Sequence, residues 1–251
     1  MRDDGSGNAV IDVINILTDE ITSVGPFAGT MYAKMAINPV THELFLTFIH
    51  ETYVTVINGD DLSYADVEIG DFIVTPPIIP NGYFNLAVNY LENKVYLISN
   101  QYCYIIFNRN DNSATYVNST DGGDIYFHPE VNRAYTSAEV NNDVIIIDGQ
   151  ADDVMELHLP YSNSFYSLSM QTTQHTFLIR RKFFQIFFDD YITVLPYEPF
   201  NGGQVYASQD IMITSPVQSA DIQFAVANQT TGRAFFICSY HHNFITVIQD
   251  R

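Results

Sequence analysis

The chain predicts an all-β fold built from a repeated unit of four short antiparallel strands. Three observations carry the prediction. An eleven-residue pattern recurs in register: NPVTHELFLTF from 38, NYLENKVYLIS from 89, HPEVNRAYTSA from 128, MQTTQHTFLIR from 170 and NQTTGRAFFIC from 228. Its eighth position is aromatic in every copy, namely Phe45, Tyr96, Tyr135, Phe177 and Phe235. Tyr (17) and Phe (18) are abundant and β-branched runs are frequent, which suits pleated, half-buried surfaces. Finally, no segment sustains the 3.6-residue apolar period of a helix.

Taken in order, residues 1–7 are polar and acidic and read as a flexible end, without the apolar core of a signal peptide. Residues 9–15 and 20–24 read as two strands, closed by the breaker Gly25-Pro26. Each eleven-residue pattern then supplies the turn between a first strand (A) and a second (B). A third strand (C) and a fourth (D) follow in each repeat: 52–58 then 65–69, 104–108 then 114–117, 144–148 then 154–159, and 185–189 then 192–195. In the last repeat C is 244–249, where the chain ends. Asn58-Gly59, Asp148-Gly149 and Asp189 supply the tight C–D turns.

The patterns start 51, 39, 42 and 58 residues apart, against the roughly 40–50 residues of a propeller blade. Two insertions between D and the next A, residues 71–83 and 196–220, account for the long intervals. A radial arrangement follows, a β-propeller of four-stranded blades occupying residues 1–251 as one domain. Five blades are favoured and six are allowed, because 205–214 could add a strand pair. Pairing of N- and C-terminal strands would close the ring and remove open sheet edges.

Charge narrows the partners. Ten Lys and Arg stand against 29 Asp and Glu, for a formal net charge of −19. Binding to nucleic acid draws on clustered cations, and Arg180-Arg181-Lys182 is the one such run, so nucleic acid is not expected. No apolar stretch approaches the ~20 residues of a membrane helix, and a soluble chain without membrane insertion is expected. Cys103 and Cys238 fall within strands of non-adjacent repeats and read as two buried thiols.

Asn38-Pro39-Val40-Thr41, Val54-Thr55-Val56-Ile57-Asn58-Gly59 and Ile146-Ile147-Asp148-Gly149 resemble the YVTN-type β-propeller repeat. The resemblance covers about residues 8–251, loosely in the second and fourth repeats, and it concerns fold. It implies a class that includes binding surfaces, surface-layer and secreted proteins and, more distantly, lactonase-like enzymes. Fold by itself does not carry function.

In such a propeller the B–C loops and D–A connections share one face. The B–C loops carry His50-Glu51, Asn100, Glu139, Asn142, Arg181-Lys182 and Tyr240-His241-His242-Asn243. Closure would bring His50, Glu51, His241 and His242 together, and imidazole nitrogens with a carboxylate could hold a divalent metal. Solvated loop residues with the same side chains are the plainer reading, under which no cofactor is needed. Tyr240, Asn243, Asn100, Glu139 and Asn142 are the expected contacts to a partner. The run Asn108-Arg109-Asn110-Asp111-Asn112 echoes the start of a calcium loop but lacks its glycine and closing glutamate. No nucleophile elbow, zinc-protease motif or phosphate loop is present. Two functions remain: a non-catalytic propeller offering a loop-decorated face to a protein or glycan, on a cell or virion surface, and a metal-dependent hydrolase or lactonase with its site at the channel mouth.

Overall fold

The computed structural model describes residues 2–27, 33–48, 51–69, 84–99, 103–118, 125–138, 143–158, 164–170, 175–184, 187–196, 209–212, 221–228, 233–239 and 244–249. Every regular element among them is a β-strand. No helix of the described residues is long and apolar enough to cross a membrane. The chain divides into two compact units, residues 1–118 and 119–251, and each is taken by itself.

The first unit holds β1 (Arg2–Asp3), β2 (Ala9–Asn15), β3 (Glu20–Phe27), β4 (Ala33–Asn38), β5 (Glu43–Phe48), β6 (Tyr53–Asn58), β7 (Tyr64–Glu68), β8 (Phe84–Asn89), β9 (Lys94–Ser99), β10 (Cys103–Asn108) and β11 (Ser113–Asn118). They form three antiparallel meanders: β1-β2-β3, β4-β5-β6-β7 and β8-β9-β10-β11. The second unit holds β12 (Ile125–His128), β13 (Arg133–Ala138), β14 (Asp143–Asp148), β15 (Val154–His158), β16 (Ser164–Met170), β17 (His175–Phe184), β18 (Phe187–Pro196), β19 (Gln209–Met212), β20 (Asp221–Asn228), β21 (Arg233–Ser239) and β22 (Phe244–Gln249). Its sheets are β12 to β15, β16 to β19 and β20 to β22, again in sequence order. First strands lie side by side, β4 against β8 in one unit, and β16 against both β12 and β20 in the other. That is the neighbour relation a radial arrangement needs.

Among the described residues, the recurrent aromatics Phe45, Tyr96 and Tyr135 are core. Phe45 is fully buried with Val54, Val56 and Ile69 of its own sheet, and with Val88, Val95, Leu97, Ile105 and Phe107 of the next. One cluster thus joins two sheets. A second joins Ala9, Ile11, Val24 and Phe27 to Leu46, Phe48 and Ile57, and Tyr135 packs with Val144, Ile146 and Met155. Each such ring contributes roughly 1.5–3 kcal/mol by burial.

The sequence reading needs correcting in the fourth repeat. It broke residues 185–195 into two strands with a turn at Asp189 and set Arg181 and Lys182 in a loop. Instead β18 is one ten-residue strand along β17, with Asp190 opposite Arg181 and Asp189 opposite Lys182. Opposite charges facing across a ladder favour continued pairing over a turn. The fourth strand is β19, inside the 196–220 insertion, paired with Tyr191 to Val194. At the other end, Arg2–Asp3 adds a strand the composition did not suggest, paired to Ala9 and Val10. The Asp4 carboxylate accepts from the amides of Ser6 and Asn8 to turn that hairpin. Residues 9–24, expected to complete the last blade, pair with each other and with β1.

Candidate functional site

In a meander the A–B and C–D turns emerge at one end of the sheet and the B–C and D–A connections at the other. The turn end is a repeated device. Among the described residues seven turns open on Asn15, Asn38, Asn58, Asn89, Asn108, His128 or Asp148, and four residues on the chain takes positive φ, between 50° and 60°: Asp19, His42, Leu62, Asn93, Asn112, Asn132 and Asp152. In these described turns the opener's side chain holds the turn wherever it is Asn or Asp. The Asn38 oxygen accepts from the amides of Val40 and Thr41, that of Asn89 from Leu91 and Glu92, and that of Asp148 from Gln150 and Ala151. Asn and Asp do this work because a short acceptor reaches its own backbone two and three residues ahead.

The two turns of a sheet are tied to each other. The amide of Gly59 donates to the His42 carbonyl, Arg109 to Asn93 and Gly149 to Asn132, at 2.7, 3.0 and 2.8 Å. A Cβ on Gly59 would stand 2.5 Å from that His42 oxygen. Between the sheets of β4 and β8 the Asn38 side-chain nitrogen donates to Asn93, and within the β8 to β11 sheet that of Asn93 donates to Asn110, both at 3.0 Å. Residues 108–112, which echo the start of a calcium loop but lack its glycine and closing glutamate, lie between strands C and D as the sequence reading placed them. In this C–D turn Arg109 reaches Glu43 and Asp111 accepts from both the amide and the hydroxyl of Ser113. Those hydrogen bonds hold the Asp111 carboxyl below the usual carboxylate range, and Ser63 does the same to Asp61. The signal that could have found this is the shared spacing Asn-x-x-Asp-x-Ser at 58 and 108.

The other end carries the residues expected to bind. Of these, Glu51 is described; His50, Asn100, Glu139, Asn142, Tyr240, His241, His242 and Asn243 lie outside the described residues. Glu51 is half-buried, and its amide donates to the Phe48 carbonyl at 3.4 Å. With it at this end of the β4 to β7 sheet stand Tyr53, Asp66 and Glu68. Burial, then the charges of Glu51, Asp66 and Glu68, push the Tyr53 phenol above its ordinary value. Thr52 donates to Glu68 at 3.2 Å and Thr55 to Asp66 at 2.6 Å. The cluster offers several carboxylate acceptors around one amphipathic ring, a chemistry suited to cationic or hydroxyl donors. Among the described residues no group of three or more His, Cys, Asp or Glu is placed to hold a metal ion.

No protein-family model matches the chain, and no curated protein does. Solved structures do. Hydrazine synthase of Kuenenia stuttgartiensis superposes with TM-score 0.63 at 12% identity, over 90% of this chain and 67% of that one. The β-propeller domain of Myceliophteria thermophila Cps50 (Swd1) gives 0.56 at 8%, over 82% and 62%. The WD40 domain of Toxoplasma gondii coronin gives 0.62 at 10%, over 94% and 60%. The fold is of the β-propeller class. This chain spans about three-fifths to two-thirds of the length of each of these structures. At these identities the likeness is one of architecture.

Proposed function

We propose that this chain is a non-catalytic propeller that presents the B–C loop ends of its sheets to a protein partner. The likeness to WD40 and other propeller domains supports a protein-recognition role. The observation that carries the reading furthest is the pairing of β6 with β7, which sets Tyr53 opposite Glu68 and lets Thr55 donate to Asp66, close in sequence to Glu51. Tyrosine there supplies a rigid amphipathic contact, and the carboxylates select a partner rich in Lys or Arg, consistent with a chain of net charge −19. Asn100, Glu139, Asn142, Tyr240 and Asn243 extend the contact from the other B–C loops. Display on a cell or virion surface, a YVTN-type ancestry for the repeat, and closure of five or six blades into a ring through the chain ends belong to the same reading. A closed ring of this length has a radius of gyration of about 18 Å, and scattering from an open arc would exceed it.

The test is capture of partners from the native source by the chain and by Glu51→Lys and Glu68→Lys. Loss of a basic protein partner with both substitutions supports the reading. Unchanged capture, binding on a glycan array alone, or turnover of lactones or phosphoesters in the presence of calcium or zinc would overturn it. The last result would return His50, Glu51, His241 and His242 to consideration as ligands.

A further inference from the structure

The third A–B turn differs from the two before it at its opener. Asn38 and Asn89 are both fully buried. Asn89 also donates to the Tyr96 hydroxyl at 3.0 Å, tying opener to recurrent aromatic. In the third turn the opener is His128, 8% exposed, its ring 5.3 Å from that of Tyr135, the recurrent aromatic of this sheet. The same pairing is kept, with a titratable ring in place of a carboxamide.

The surroundings of this imidazole favour its neutral form. Directly opposite it on β13 stands Arg133, itself buried. Arg133 is in turn the ladder partner of Asp148 on β14, one strand removed from β12. Glu130 in the turn is exposed. Tyr135 is neutral at ordinary pH. On the strand beside β12, β16, the one titratable residue is Tyr166.

We propose that the β12–β13 hairpin is an acid-responsive element, in which protonation of His128 sets a second positive charge beside Arg133 in a closed site and opens the hairpin to water. Burial lowers the imidazole from its ordinary 6.5 to about 4. The sign follows from linkage. The open state takes up a proton more readily than the closed one, so the closed hairpin is fully favoured above the ordinary histidine value. It loses ground as pH falls from there toward the folded value. The neighbouring turns carry asparagine and lack this response.

The experiment is hydrogen exchange of the whole chain, read for the segment 125–138 against 33–48, at about pH 7.5 and about pH 5 after correction for intrinsic rates. Opening of 125–138 should rise about thirty-fold at the lower pH, while 33–48 changes little. His128→Asn, which copies the first two turns, should remove the pH dependence and keep the hairpin. An equal acid response in parent and His128→Asn overturns the proposal. If that variant does not fold, the titration of His128 in the parent by NMR decides. Protonation near the ordinary value with 125–138 still protected overturns the proposal, and protonation coincident with exchange of 125–138 upholds it.

Discussion

Arg109 donates to a single oxygen of Glu43 through two nitrogens, Nε at 3.1 Å and Nη2 at 2.8 Å, across 66 residues of sequence. Its Nη1 meanwhile donates to Asn112. The guanidinium therefore fixes its own C–D turn and the first residue of β5 in the neighbouring sheet at once. Both side chains are mostly shielded, 26% and 15% exposed, so the pair escapes part of the screening that weakens surface ion pairs. Truncating Arg109→Ala should cost about 1 kcal/mol of unfolding free energy, and a double-mutant cycle with Glu43→Gln by urea denaturation should recover most of it as coupling. Additive effects would show that the two side chains do not work together.

The openers of the two turn types predict opposite responses to the same change. Asn58 is exposed and holds the amide of Asp60 through its oxygen alone, a task Asp148 performs in the β12 to β15 sheet. Asn58→Asp should leave the thermal midpoint nearly unchanged. Asn38 is buried and also donates to the Asn93 oxygen. Asn38→Asp places a carboxylate against that acceptor and should cost about 2–3 kcal/mol. Equal effects at both positions would contradict the turn geometry.

Tyr96 is fully buried and its hydroxyl receives the amide of Asn89. Tyr96→Phe, although Phe45 holds the matching place in the preceding sheet, removes the hydroxyl that accepts from Asn89 and should destabilise by about 1 kcal/mol. Adding Asn89→Ala should then cost less than it does in the parent. The comparison is made by chemical denaturation of the four proteins.

Ser63 controls the acidity of Asp61. Its hydroxyl and amide both donate to one carboxylate oxygen, at 2.6 and 2.9 Å, and hold the carboxyl below its ordinary value. A depressed carboxyl stabilises the fold above its unfolded pKa and stops doing so as pH falls through the folded one. Ser63→Ala should move the Asp61 titration upward toward the usual carboxylate range, as Ser113→Ala should for Asp111, both followed by carbon-detected NMR. An unmoved titration would mean that the hydroxyl hydrogen bond does not form in solution.

Much of the architecture was legible because it is local. An Asn or His opener, four turn residues and an aromatic at a fixed offset are all set by near neighbours, and the described A–B turns of the first three patterns fall at Asn38, Asn89 and His128 as the sequence suggested. Legibility failed where distant residues decide. Asp189 looks like a turn residue until Lys182 is found opposite it, and β1 depends on an acidic segment folding back on Ala9 and Val10. The left-handed residue four places after each opener leaves a trace in the sequence as Asn93, Asn112 and Asn132, residues that tolerate that conformation. Of the candidate site, Glu51 was named from the sequence. Tyr53, Asp66 and Glu68 were not, since only the pairing of β6 with β7 brings Tyr53 opposite Glu68.

The claim that the B–C ends of the sheets are the recognition surface meets its most direct test in the hydrogen-exchange footprint of the chain bound to a captured partner. The account predicts slowed exchange over 49–53, 99–103, 139–143 and 240–243, with the turns at 39–42, 59–62, 90–93 and 109–112 unchanged. Protection confined to those turns, with the first set unaffected, would contradict it.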